Sequence, residues 1–305
     1  MSMAHTYPTL AQAKLALHGV GNMIMQNGTP KDFGPLIYAF TGYGNVAQGA
    51  LEIFRELPHE FVPAQDLEKI VNDKNPNLKK LYATQLGVED YIVTKDENRP
   101  LESTLDYITH PEKYHSNFHQ KIAPYTNCVI TGAYWDKRYP RTMSNEQLQE
   151  IEQLKKKGVI KPGKMMSLGD IVCDIRGAFE CLFHSTPVDD GFFYYDALRG
   201  QEHKNVEGDG IQVMGVDILP AELPIESSQY FSKRLYPHIE QMATQPANVP
   251  LDQLPSLLRH CTITDRGKLT KAHQDLQTVL LLGSGMVAAP LVDHLAKRPD
   301  VNIVV

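Results

Sequence analysis

The 305-residue chain has one tryptophan, four cysteines and no long apolar run, and each scarcity narrows its role. Cys128, Cys173, Cys181 and Cys261 have no CxxC spacing, so a reducing compartment fits better than a disulfide framework. No stretch approaches the ~20 apolar residues of a membrane span, and no membrane partner is expected. The opening Met1-Ser2-Met3-Ala4-His5 has neither the basic nor the apolar zone of a signal peptide. No GxSxG elbow and no Walker loop occurs, so acyl and phosphoryl transfer have no support. Positive charge is scarce as well. Thirty Lys and Arg against 36 Asp and Glu give a net charge of −6, which argues against nucleic acid as the partner. The one basic run, Lys155-Lys156-Lys157, reads as a solvated helix end. His110, His115 and His119 cluster, and the last two would share a helix face at a spacing zinc sites use. No HExxH or nearby Cys completes a ligand set, so a surface helix is the favoured reading and no metal is expected.

What is present is glycine in two informative places. Leu36-Ile37-Tyr38-Ala39-Phe40-Thr41-Gly42-Tyr43-Gly44-Asn45-Val46-Ala47 and Thr278-Val279-Leu280-Leu281-Leu282-Gly283-Ser284-Gly285-Met286-Val287-Ala288 each run from an apolar strand through a glycine turn into a helical stretch. This is how a backbone makes room for a dinucleotide pyrophosphate. The first Gly makes the turn, the second admits the phosphates, and a small third residue lets helix pack on strand. The helix N-terminus then offers unpaired N–H groups to the anion.

Around these turns the periodicity alternates between helix and strand. Helices are expected over 8–26, 45–57 and 144–158, the last opened by a Ser144–Gln147 capping box. Others are expected at 226–243, 252–260 and 289–296, with weaker signals at 65–72 and 110–120. Strands are expected at 36–41, 60–62, 128–132, 170–175, 192–195, 210–217 and 301–305. The alternation predicts an α/β fold, a Rossmann-type doubly wound and mostly parallel sheet.

Ligands of such a sheet sit at the carboxyl ends of its strands. Thr131-Gly132, Asp174 and Asp217-Ile218-Leu219-Pro220 occupy those ends in this reading. The rigid loop through Pro220 could wall a nicotinamide pocket or simply connect strand to helix. Asp174 and Asp217 could equally cap the following segments. An acidic residue about 20 positions past the fingerprint would hold a ribose 2′-OH. The second strand ends at Val62-Pro63-Ala64-Gln65 with Glu60 and Asp66 only as neighbours, which leans towards NADP.

The motifs then resemble a known family. Phe40-Thr41-Gly42-Tyr43-Gly44-Asn45-Val46, Gly49-Ala50, His110-Pro111-Glu112-Lys113-Tyr114, Ile122-Ala123-Pro124-Tyr125-Thr126 and Tyr134-Trp135 are similar to the lysine–ketoglutarate reductase part of the alpha-aminoadipic semialdehyde synthases. So are Cys173-Asp174-Ile175, Gly208-Asp209-Gly210, Val216-Asp217-Ile218-Leu219-Pro220 and Leu223-Pro224-Ile225-Glu226, in the family's order. The segment from Val279 resembles the start of the saccharopine dehydrogenase half. The resemblance implies that the lysine ε-amine and 2-oxoglutarate condense to an imine, which takes a hydride to give saccharopine. It implies NADPH rather than NADH as donor, and an alanine-dehydrogenase-like fold. Gly42, Gly44, Asn45, Val46 and Ala47 would cradle the pyrophosphate, while Thr131-Gly132 and Asp217 to Pro220 would line the path from adenine to nicotinamide.

It also implies an organisation. Residues 1–35 would be a linker helix and the tail of a substrate domain, and 36–225 the dinucleotide domain. Residues 226–277 would be helices returning to the substrate domain, and 278–305 the start of a second Rossmann unit. The expectation is a chain with its substrate domain largely missing, homo-oligomerisation left open, working in the mitochondrial matrix or the cytoplasm. The loop after Ile175 reads as shortened beside the family's. A non-catalytic module that binds cofactor or partner chains is the alternative.

Overall fold

The computed structural model describes residues 3–273 except 97, 102 and 247, together with the backbone of 278–280 and 302–304. In chain order the elements are α1 (Leu10–Asn27), β1 (Ile37–Thr41), α2 (Asn45–Phe54), β2 (His59–Phe61), α3 (Leu67–Val71) and β3 (Leu81–Leu86). β4 (Ile92–Thr94), α4 (Thr104–Thr109), β5 (Tyr114–Ser116), α5 (Phe118–Lys121), β6 (Cys128–Thr131), α6 (Asn145–Lys156) and β7 (Ser167–Asp170) follow. The chain continues with β8 (Phe192–Asp196), β9 (Gln201–His203), β10 (Ile211–Met214), α7 (Pro224–Ala243), α8 (Ser256–Cys261), β11 (Thr264–Asp265) and β12 (Lys268–Leu269). β13 (Thr278–Leu280) and β14 (Asn302–Val304) close it.

Eight strands form one sheet in the order β2-β3-β1-β6-β7-β10-β8-β9, parallel from β2 to β10 and antiparallel at β8 and β9. This is the α/β, Rossmann-like sheet that the alternation predicted. Side chains of β1 point to both faces in turn, as strand geometry requires. Phe40 packs with Leu51 and Phe54 of α2 on one face, with Ile24 of α1 against them. Ile37 and Ala39 join Leu67, Phe118, Leu148 and Ile151 under α3, α5 and α6 on the other. Helices cover both faces, so the central strands are apolar on both.

Several elements differ from their expectations. α2 stops at Phe54 rather than 57, because Leu57 precedes Pro58 and a residue before proline is pushed out of the helical region. β3 was not foreseen: Thr84 and Gln85 interrupt its apolar run although Thr84 is fully buried. β2 is an edge strand, and β3, not β2, borders β1. The strand expected over 170–175 is β7, three residues earlier. Beyond Asp170 the chain cannot stay extended, since Cys173 and Arg176 both take the left-handed conformation, with φ of 56° and 50°. Residues 171–177 are therefore a loop that carries Asp174 and Gly177, and the loop reading as shortened after Ile175 begins at Ile171. The helix signal over 110–120 dissolves into β5 and the short α5, so His115 lies in a strand and His119 in a helix. Among the described residues no His, Cys, Asp and Glu group could hold a metal.

The capping box at Ser144 is present, with Ser144 Oγ accepting from Gln147 N–H at 3.3 Å and Gln147 Oε1 accepting from Ser144 N–H at 2.9 Å. At the amino edge of the sheet Lys164 is completely buried. Its ammonium donates to Pro35 O at 3.0 Å and Asn127 Oδ1 at 2.9 Å, and burial lowers its pKa to about 8.

The chain divides into two compact units after Ser227. The second holds the rest of α7, α8, the β11–β12 hairpin and the parallel pair β13–β14. The second glycine turn, Gly283-Ser284-Gly285, and the helix expected at 289–296 lie outside the described residues. No helix among the described residues is long and apolar enough to cross a membrane.

Candidate functional site

After β1 the chain fills one side of it, first at the edge with β2 and then with β3 beside β1, and afterwards crosses to the other side for β6, β7 and β10. The carboxyl ends of β1 and β6 are therefore the point at which strand order reverses, where open α/β sheets bind ligands. Thr41 and Thr131 are the facing last residues of these two strands.

Gly42 makes the turn with φ of 92°, a conformation that costs other residues a backbone strain. Its N–H donates to Leu86 O at 2.8 Å, and its carbonyl accepts from Gln85 Nε2 at 2.9 Å. A Cβ on Gly42 would also stand 3.1 Å from the backbone of Ala133. Gly44 differs. Its φ is −75°, and a Cβ there would meet nothing within 4 Å. Among the described residues neither strain nor packing requires glycine at this position, and the open space beside it is where a pyrophosphate would lie.

Gly44 is the N-cap of α2 and supplies no side-chain cap. The N–H groups of Asn45, Val46 and Ala47 belong to the first turn, where a helix has no internal acceptors. Asn45 and Val46 are exposed, and Ala47 is buried. The third fingerprint residue packs against the exit of β6: a Cβ on Gly132 would come 2.9 Å from Ala47 N and 3.1 Å from Ala47 Cα. Gly132 N–H donates to Thr41 O at 3.1 Å, which ties that exit to β1.

Next to Thr131 stands a residue the sequence reading passed over. Asp170 ends β7 opposite Thr131 and is buried. Its Oδ1 accepts from the Thr131 hydroxyl at 2.7 Å and from Cys173 N–H at 3.1 Å, and its Oδ2 has no hydrogen-bond partner among the described residues. Burial raises its pKa. Cys173 Sγ donates to Gly215 O at 3.1 Å, joining the exits of β7 and β10. Burial, followed by the charges of Asp170, Asp217 and Asp174, raises that thiol to about 11. Asp174 sits half-buried in the loop, its pKa also raised by burial. Asp217 and Ile218 are exposed after β10, and Leu219–Glu222 is a turn of 3-10 helix containing Pro220. Gly42, Ala47, Thr131 and Gly132 thus gather where β1 and β6 end, while Asp174 and Asp217 to Pro220 lie at neighbouring strand exits of the same edge.

The 87–127 insertion between β3 and β6 adds a cavity of about 220 Å³ over the ends of β1 and β6. Tyr91, Tyr107, Trp135 and Tyr139 line it, and Thr41 and Thr131 reach it from the strands. Trp135 Nε1–H donates to Pro140 O at 3.1 Å, and the Tyr107 ring lies 5.2 Å from that of Tyr139. The sequence signal was only a tyrosine-rich stretch.

β3 at the side of β1 also changes which residues border the fingerprint. The residues that follow it are Gly87, Val88, Glu89 and Asp90, so carboxylates do flank the fingerprint. Asp90 Oδ2 accepts from Gly87 N–H at 2.8 Å. Burial and then the charges of Glu89 and Asp90 raise the pKa of the fingerprint Tyr43. The lean towards NADP from the tip of β2 loses its premise. An uncapped helix start, an open Gly44 and a strand-end crevice together fit a dinucleotide.

No family model matches the chain. Alpha-aminoadipic semialdehyde synthase, mitochondrial, from Rattus norvegicus is 34% identical over 330 residues, covering 99% of this chain and 35% of that protein. The protein of the same name from Bos taurus is 34% identical over 332 residues, covering 100% of this chain and 35% of its own length. Alpha-aminoadipic semialdehyde synthase from Arabidopsis thaliana is 35% identical over 283 residues, 90% of this chain and 26% of that protein. The chain spans about a third of the length of the curated relatives it matches. It is homologous, over nearly its whole length, to a stretch of alpha-aminoadipic semialdehyde synthase.

Proposed function

We propose that the chain is the dinucleotide-binding part of a lysine-degrading oxidoreductase, which reductively joins L-lysine to 2-oxoglutarate as saccharopine with NADPH as donor. The observation that carries the reading is the glycine turn of β1 and α2, open at Gly44 and placed at the strand-order reversal. The family resemblance supplies the reaction and the choice of NADPH. When bound, NADPH supplies the hydride that reduces the imine of the lysine ε-amine and 2-oxoglutarate.

The N–H groups of Asn45, Val46 and Ala47 would bind the phosphates, helped by the positive end of the α2 dipole. Gly42 and Gly132 let the exits of β1 and β6 close on that helix start, which fixes its direction. Thr131 and Asp174, with Asp217, Ile218, Leu219 and Pro220, would border the reactive end of the crevice. The proposed setting is the mitochondrial matrix or the cytoplasm.

Trp135 is the only tryptophan and lies beside the crevice, so its emission is a direct reporter. Titration with NADPH and with NADH should quench it saturably. Silence to both would overturn the proposal.

A further inference from the structure

We propose that a second cavity, between α3, α5 and α6 on one face of the sheet, binds a small zwitterion with a terminal ammonium on an aliphatic chain, the class to which lysine belongs. The assignment goes beyond the dinucleotide reading and does not depend on it. The cavity measures about 370 Å³, within the range of small-molecule sites. None of its described lining residues belongs to the glycine turn or to the carboxyl ends of the strands. A ligand there would regulate the protein from outside the crevice rather than react in it.

The walls have two characters, and together they describe the ligand. Val71, Ile151, Leu154, Val159 and Ile160 give an aliphatic lining that suits a chain of methylenes. Glu68 and Glu150 supply carboxylates for a cationic end, and Lys161 supplies an ammonium for an anionic one. The Lys161 ammonium already donates to Val71 O, but it carries three N–H groups and so keeps donors for a ligand carboxylate.

His119 of α5 carries the argument furthest. It lines the cavity with only 11% of its side chain exposed. Its Nδ1 is buried without a hydrogen-bond partner among the described residues, and a buried polar atom in that state calls for an explanation. Its Nε2 stands 3.8 Å from Glu150 Oε2, too far for a hydrogen bond. Burial lowers the pKa of the ring, opposed by the Glu150 charge and aided by His115, so the imidazole is neutral at pH 7. A neutral imidazole keeps one acceptor nitrogen. An ammonium seated beside Glu150 would pair with the carboxylate and donate to the ring, satisfying both.

Calorimetric titration of the full chain with L-lysine at pH 7 tests the assignment, with L-norleucine as the isostere that lacks the ε-ammonium. Lysine should bind saturably, and norleucine about ten-fold more weakly, the loss expected for a charged hydrogen bond. Glu150 is exposed on α6, so Glu150→Gln should melt with the parent and weaken lysine about ten-fold as well. Val159 is 70% exposed, so Val159→Phe should fill the cavity without unfolding the chain and abolish lysine binding. Both variants should keep the NADPH quenching of Trp135. No heat with lysine, equal binding of norleucine, or a lysine affinity unchanged in both variants would overturn the assignment. Each of these leaves the NADPH titration untouched, and failure of that titration would overturn the dinucleotide reading alone.

Discussion

Two glycines with different roles make a sharp experiment, Gly132→Ala against Gly44→Ala. At Gly132 a new Cβ would stand 2.9 Å from Ala47 N and 3.1 Å from Ala47 Cα and Cβ. Two of those atoms are backbone, so the clash can be relieved only by moving the start of α2 or the exit of β6. Overpacking of this kind costs about 1–3 kcal/mol. Losing glycine's freedom in the unfolded chain returns about 0.4–1 kcal/mol, which leaves a net loss of about 1–2 kcal/mol. For a unit of this size that lowers Tm by roughly 2–8 °C. At Gly44 the same methyl meets nothing within 4 Å and φ is ordinary, so Tm should hold or rise slightly. There the loss should appear in binding, because the methyl occupies the space a pyrophosphate needs. Thermal melts and NADPH titrations of the two variants side by side read both effects. A Gly132→Ala protein as stable as the parent would refute the packing argument, and a Gly44→Ala protein that binds normally would refute the cradle.

Three further outcomes follow from the buried and flanking charges. Lys164 is protonated up to pH 10.5 when unfolded but only to about 8 when folded, so the unfolded state binds more protons in between and stability should rise with pH across that window. The gap corresponds to about 3 kcal/mol; chemical denaturation of the parent and of Lys164→Met should show the rise in the parent alone. Asp170 has a raised pKa, so its folded state holds the proton longer and stability should fall as pH climbs from 3.8 towards that raised value. Asp170→Asn keeps an acceptor for the Thr131 hydroxyl and should remove the fall, leaving a protein at least as stable as the parent in urea at pH 7. Glu89→Gln removes a carboxylate beside the fingerprint and should strengthen NADPH binding several-fold, with NADH little changed, in paired titrations at low salt. An unchanged ratio of the two affinities would place Glu89 away from the 2′-phosphate.

Much of this was legible in the residues because local chemistry decides it. The fingerprint of Gly42, Gly44 and Ala47 lies in its strand–helix frame, and the Ser144 capping box forms as its spacing dictates. Strand order was not legible. β3 has Thr84 and Gln85 in an otherwise apolar run, and only the tertiary fold, which hands Gln85 to the Gly42 carbonyl, makes it a central strand. That omission also hid Glu89 as a neighbour of the fingerprint. Asp170 was missed because the apolar run from Ile171 to Ile175 looked like the strand, while the left-handed backbone at Cys173 and Arg176 ends it sooner. The aromatic cavity escaped for a similar reason: Tyr91, Tyr107 and Trp135 are far apart in sequence and meet only when the insertion folds over the sheet edge.

Hydrogen exchange on the chain with and without NADPH tests the central claim most directly, because it reads the amides said to hold the pyrophosphate. Slowed exchange at Asn45, Val46 and Ala47, reaching Gly132 at the exit of β6, is the predicted result. Saturating NADPH that leaves these amides unchanged would contradict it.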